Sequence, residues 1–152
     1  VFREIVTAIR NLRQTFGIGP NREVDIVINC NQAGNTMNEL EPFRDQVCSL
    51  ARVGTLQIGE GVQKPDGSAA AGLAAVEVYL PLTGIIDVDE EKQRLGRALE
   101  KLAADRGKIE ARLADARFRD KAPPDVVERE QERFREMDDR MRRIQKILED
   151  LG

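Results

Sequence analysis

From Val88 to Leu151 the apolar residues recur in steps of three, four or seven. They are Val88, Leu95, Leu99, Leu102, Ile109, Leu113 and Ala116, and then, past a proline pair, Val127, Phe134, Met137, Met141, Ile144, Leu148 and Leu151. An a/d heptad pattern on both sides of a turn predicts two long helices folded back on each other as an antiparallel coiled coil. With Leu99 and Leu113 at a, and Leu95, Leu102, Ile109 and Ala116 at d, two charged residues enter the seam: Arg106 at a, and Glu130 at d of the return helix. In an antiparallel pair a layers face d layers, so facing residue numbers share one sum. A sum of 243 turns the chain between Lys121 and Ala122. It sets Leu95 against Leu148, Leu99 against Ile144, Leu102 against Met141, Arg106 against Met137, Ile109 against Phe134, Leu113 against Glu130 and Ala116 against Val127. At the flanking g positions it pairs Ala98 with Ile147 and Asp105 with Arg140. Helices of about 27 residues make an arm roughly 40 Å long.

The chain before Val88 alternates elements. Phe2, Ile5, Ile9, Leu12 and Phe16 form a helical stripe ended by Gly17-Ile18-Gly19-Pro20, with Arg3, Arg10 and Arg13 on the opposite face. Glu23 to Asn29 places Val24, Ile26 and Ile28 between polar residues and predicts a strand. Asn31 to Asn35 reads as a turn. Thr36 and Glu39 then make a capping box that opens a helix with Met37, Leu40, Val47 and Leu50 on one face. Thr55 to Ile58 is a short strand, and Gly59 to Gly72, with Pro65-Asp66-Gly67, reads as a turn or mobile loop. Val76 to Leu80 is the last clear strand before Pro81 to Gly84 leads into the hairpin. The class is α+β: a small α/β base with a short mixed sheet, plus a long antiparallel coiled-coil hairpin.

Composition limits the chemistry. Of 152 residues 34% are charged and 4% aromatic, with no tryptophan, so the base must build its core from aliphatic side chains. No stretch approaches the roughly 20 apolar residues of a membrane span, and Arg3, Glu4 and Arg10 interrupt any secretion signal at the start. The chain opens inside a helical pattern without a methionine, which suggests a fragment of something longer. Cys30 and Cys48 are too few for a disulfide framework, and without histidine a zinc cluster is not expected, so a reduced cytoplasmic setting is the default. Nor is there a phosphate loop with a lysine, a nucleophile with a histidine, or a carboxylate pair on a pocket scaffold, so this chain has no candidate catalytic residue. The carboxylates of Asp87, Asp89, Glu90 and Glu91 complement the N-terminus of the first arm helix.

Charge distribution is more informative than the net charge of −3. Residues 1 to 87 carry seven basic and ten acidic residues, residues 88 to 152 seventeen of each, and Arg106 to Lys121 six basic against three acidic. On the heptad above, Arg94, Lys101 and Lys108 all occupy c, with Arg97 at f beside them and Arg112 at g further out. Ala104 and Ala111 at the neighbouring f positions would let a bulky anionic backbone approach. Gly96 and Gly107 fit the same idea, since each costs about 1 kcal/mol relative to alanine in an exposed helix and close approach would explain that. Arg117, Arg119 and Lys121 form a second basic cluster at the tip. Phosphate contacts from such residues are sequence-blind and suit shape recognition of folded RNA, whereas a solvated coiled-coil face shows the same charges. Arg106 and Glu130 in the seam read as register-setting polar residues, the arginine stem packing while its guanidinium reaches outward, in preference to a role in RNA binding.

Two motifs carry a family resemblance. Leu80, Pro81, Leu82, Gly84 and Asp87 within VEVYLPLTGIIDVDEEKQRL, and Phe118, Lys121, Ala122, Pro123, Val126 and Val127 within RFRDKAPPDVVERE, resemble the C-terminal end of bacterial valyl-tRNA synthetases. Upstream, IVTAIRNLRQTFGIGP (Ile5 to Pro20) is similar to the last helix of that family's anticodon-binding bundle, and LARVGTLQIG (Leu50 to Gly59) to its connecting segment. The resemblance implies three parts: 1–20 the terminal helix of the bundle, 21–87 a small connecting α+β domain, and 88–152 a coiled-coil tRNA-binding arm. It further implies a class I ligase that uses ATP and magnesium to attach valine to tRNA(Val). Its arm packs on the outer corner of tRNA(Val), where the D and T loops meet, and the rest of the synthetase is its other partner. The ATP-site motifs of the family, His-Ile-Gly-His and Lys-Met-Ser-Lys-Ser in form, are absent from this chain, so activation, charging and editing belong elsewhere. Neither a membrane nor DNA is expected as a partner. Ala114 to Ala116 stand where the family often has Asn or a similar polar residue before the Phe, and Arg119 replaces an aliphatic residue, which makes this tip more basic. Two other readings of the hairpin remain, a protein-interaction arm and a structural brace.

Overall fold

The structure is a computed structural model that describes residues 1–31 and 35–152. The turn read at Asn31 to Asn35 includes residues 32–34, which lie outside the described residues. The chain divides into two compact units, Val1–Val88 with Asp150–Gly152, and Asp89–Glu149.

The first unit opens with α1, Phe2–Thr15, whose stripe is buried: Ile5 and Ile9 completely, Leu12 nearly so. The helix ends where the glycine pattern predicts. Gly17 takes the left-handed φ of 63°, its N–H bonds to the Gln14 carbonyl, and the Ile18 N–H reaches back to the Arg13 carbonyl at 2.9 Å. This is the double bond of a Schellman cap, which favours glycine at that position.

Four strands follow: β1 (Val24–Cys30), β2 (Val53–Glu60), β3 (Ser68–Gly72) and β4 (Val76–Pro81), in the order β2-β1-β4-β3. β1 pairs parallel with β2 and antiparallel with β4, and β3 pairs antiparallel with β4. The sheet is therefore mixed. Ile26, Ile28, Val76, Val78 and Leu80, all 1% exposed or less, supply its aliphatic core, and α1 lies against β3, β4 and the helix before β2. Leu82 and Leu151 are buried in the same unit, where Lys64 pairs with Asp150.

Three expectations are corrected here. The Gly59 to Gly72 stretch, read as a loop, contains β3: its Ala-rich register against β4 gives backbone pairing that small side chains do not advertise. The single helix read from Thr36 is three pieces: α2 (Thr36–Leu40), a 3-10 turn (Glu41–Phe43) and α3 (Arg44–Ala51). Pro42, at the start of that turn, has no N–H to continue an α-helix. The N-cap is Asn35, not Thr36; Leu40 and Val47 are buried, but Met37 and Leu50 are 36% and 49% exposed.

Arg13 is the third. Read on the solvent face with Arg3 and Arg10, it is 6% exposed. Its guanidinium donates to the carbonyls of Gly19 and Arg22, each at 2.5 Å, and of Arg52 at 3.3 Å. Arg52 ends α3 in the left-handed conformation (φ 55°) and donates from Nε to the Pro20 carbonyl at 3.1 Å. Two arginines thus fasten the loop after α1 through backbone oxygens. Burial, and secondarily the nearby charge of Arg52, lowers the pKa of Arg13.

The second unit is the hairpin. α4 (Val88–Ala114, 27 residues) and α6 (Pro124–Leu151, 28 residues) pack antiparallel, each about 40 Å long. Leu95, Ile109, Glu130 and Met141 are buried, and the other seam residues are half-buried, as a two-helix seam open on two sides allows. Two ion pairs cross it, Arg106–Asp138 at 2.6 Å and Arg112–Glu130 at 3.2 Å. Their residue numbers sum to 244 and 242, one on either side of the facing sum of 243.

The tip departs from the heptad reading. Asp115 turns extended (ψ 115°) and accepts a hydrogen bond from the Arg117 N–H at 2.9 Å, which starts a separate helix, α5 (Ala116–Lys121). Aspartate is a favoured N-cap, so the first helix stops early and Ala116, assigned to the seam opposite Val127, is exposed. Pro124 opens α6, where a missing N–H is harmless.

Candidate nucleic-acid interface

The basic row sits on a regular helix. Arg94, Lys101 and Lys108 lie seven residues apart on α4, roughly 10.5 Å per step, with Arg97 between the first two. All four are exposed, as are Ala104 and Ala111. At the base of the row Glu91 holds the Arg94 guanidinium through Nη2 at 2.5 Å and Nε at 3.0 Å, a bond that raises the arginine pKa. Arg97, Lys101 and Lys108 form no ion pair among the described residues. Three uncompensated cations on one helix face are chemically suited to successive phosphates.

Arg112, read as the outer member of the row, points elsewhere. Its Nη1 crosses the hairpin to Glu130, and its guanidinium carbon lies 6.0 Å from the centre of the Phe118 ring. Glu130 also accepts from Arg133 Nη1 at 3.1 Å. Arg106, in the seam, pairs with Asp138 and lies 5.9 Å from the Phe134 ring centre, while Arg142 holds the other Asp138 oxygen at 3.0 Å. At the tip Arg117, Arg119 and Lys121 are exposed on α5, around the half-buried Phe118.

Arg133 is the residue that reading α4 alone passes over. The signal for it is the register: the numbering that pairs Asp105 with Arg140 also pairs Arg112 with Arg133. Gly96 and Gly107, though each directly precedes a cation of the row, face away from its centre at Lys101. At 100° per residue each lies 120–140° around the helix from Lys101, and no atom beyond the local helix backbone stands within 4 Å of a Cβ built on either.

The family profile described as "Valyl tRNA synthetase tRNA binding arm" matches residues 87–152. Over 134 residues, 88% of its length, the chain is 32% identical to the valine–tRNA ligase of Geobacter sulfurreducens. It is 34% identical to that of Petrotoga mobilis over 98% of its length. The chain belongs to the valyl-tRNA synthetase family. The Bacillus subtilis valine–tRNA ligase is 27% identical over 97% of the chain. The chain spans 15–17% of the length of these three relatives, and its hairpin is the tRNA-binding-arm region of the valyl-tRNA synthetase family. Among the described residues no group of three or more Cys, Asp or Glu is placed to hold a metal ion. No described helix is long and apolar enough to cross a membrane.

Proposed function

We propose that the hairpin docks tRNA by its outer corner, where the D and T loops meet, and that the whole protein is a valine–tRNA ligase that attaches valine to tRNA(Val) at the expense of ATP. The observation that carries this reading is the set of exposed, unpaired cations Arg97, Lys101 and Lys108 along one face of α4, in a region matched by a tRNA-binding-arm family. Arg94 contributes less, because Glu91 already holds it. Arg117, Arg119 and Lys121 lie at the far end of the same helical hairpin and extend its basic character to the tip. Contacts of this kind reach phosphates rather than base edges, so they recognise the shape of a folded RNA and position it. The arm thus orients the substrate, and the chemistry of charging is carried by other parts of the ligase.

The test is kinetic. In the full-length ligase, R97E/K101E/K108E raises the KM for tRNA at least tenfold and leaves valine-dependent ATP–pyrophosphate exchange unchanged. Unchanged tRNA kinetics contradict the reading.

A further inference from the structure

One edge of the hairpin holds a hollow of about 230 Å³ lined by Asp105, Lys108, Ile109 and Arg112 of α4 and by Arg133 and Met137 of α6. Buried Ile109 and half-buried Met137 form its apolar wall, and Lys108, Arg112 and Arg133 bring three cations to it. Two of these cations share an anchor. Glu130, whose side chain is 9% exposed, takes Arg112 on Oε2 and Arg133 on Oε1, one nitrogen from each guanidinium. Like-charged guanidinium groups drawn from two helices would otherwise drift apart. Each guanidinium has five N–H donors, and with side chains 51% and 53% exposed both keep donors free for a ligand. Three cations against Asp105 and Glu130 leave one net positive charge.

We infer that this hollow is a phosphodiester-binding notch in which Glu130 is a positioning residue for Arg112 and Arg133. Two guanidinium forks at one place match the oxygens of a single phosphate better than a lysine point charge does. The single net charge fits a phosphodiester of an RNA backbone, and Lys108 joins the notch to the row on α4. The inference rests on the reading of the hairpin as an RNA-docking arm, and it adds α6 to a surface so far drawn from α4 and α5.

The role of Glu130 can be separated from its charge. Removing a carboxylate beside a cationic surface tightens RNA binding if only the electrostatic field matters; if the carboxylate positions the arginines, removal weakens binding. Glu130→Leu places a good seam residue at a d position, and the half-exposed Arg112 and Arg133 it leaves behind stay hydrated, so no cation is stranded without water; far-UV circular dichroism checks that the variant keeps its fold. The experiment titrates the full chain with tRNA, reading affinity against salt and the arginine Nε–Hε NMR signals. R133A and E130L each weaken binding about tenfold, the loss of one charge-assisted contact, and R133A lowers the salt slope by about one. The Arg112 and Arg133 signals shift together with tRNA in the unaltered chain. Tighter or unchanged binding by E130L, or unchanged binding by R133A while R97E/K101E still weakens it, overturns the notch and leaves the docking arm standing. Absence of any tRNA binding by the unaltered chain at low salt overturns both.

Discussion

Replacing Arg13 by methionine tests how a buried cation without a carboxylate partner stabilises the first unit. The substitution removes three bonds, to the carbonyls of Gly19, Arg22 and Arg52. Hydrogen bonds from a charged donor contribute about 1.5–3 kcal/mol each, which sets the gross loss at about 5–9 kcal/mol. Two effects offset it. Gly19 and Arg22 are exposed residues whose carbonyls regain water, and the guanidinium no longer has to leave water, a penalty of several kcal/mol for a buried ion. The net expectation is a loss of about 2–4 kcal/mol. Arg13→Lys keeps the charge but lacks the planar fork that reaches three oxygens from two segments, so it falls between methionine and the original. The assay is urea unfolding followed by near-UV circular dichroism of Tyr79, the only tyrosine and a buried residue of β4, which reports the first unit without the signal of the long helices. A midpoint for Arg13→Met that implies less than about 0.5 kcal/mol, the scale of an ordinary surface change, refutes the clamp.

Two further outcomes follow from the geometry. Gly96→Ala with Gly107→Ala stabilises the hairpin by about 2 kcal/mol in total, because both positions are helical and open; it leaves tRNA affinity unchanged, because both face away from Lys101 at the centre of the row, and a loss of affinity in a fluorescence titration would restore a close-approach role. Burial and then Glu60 raise the pKa of the Cys30 thiol above its ordinary unfolded value, and burial and the bond to Glu77 raise that of the Tyr79 hydroxyl above its own. Both bind their protons more tightly folded than unfolded, so the stability they contribute is complete below those unfolded values and is lost as pH rises through and beyond them. Urea midpoints measured from pH 7 to 10.5 therefore fall on the alkaline side, and Cys30→Ala makes that fall shallower.

What the sequence reveals depends on how local the deciding interaction is. The heptads of α4 and α6 are legible because burial on one stripe of a long helix repeats many times, and the alternation of Val24, Ile26 and Ile28 is legible for the same reason in a strand. β3 is hidden because alanine and glycine pair through their backbone without a hydrophobic pattern. Arg13 is misplaced by a wheel because its burial depends on carbonyls brought from the loop after α1 and from the end of α3. At the tip, the capping preference of Asp115 competes with the heptad and wins, taking Ala116 out of the seam. The row of Arg94, Arg97, Lys101 and Lys108 is visible from spacing on one helix. The engagement of Arg94 by Glu91 and the joining of Arg112 and Arg133 on Glu130 become visible only when side chains and two helices are placed together.

In the proposed docking, the arm meets tRNA at its outer corner through the face of α4. Nuclease or hydroxyl-radical footprinting of tRNA(Val) by the full-length ligase, with and without R97E/K101E/K108E, addresses it most directly. Docking through this face protects the D and T loops, and the charge reversal removes that protection while protection around the anticodon and acceptor ends persists. Protection of the D and T loops that survives the reversal, or that is absent from the unaltered ligase, contradicts it.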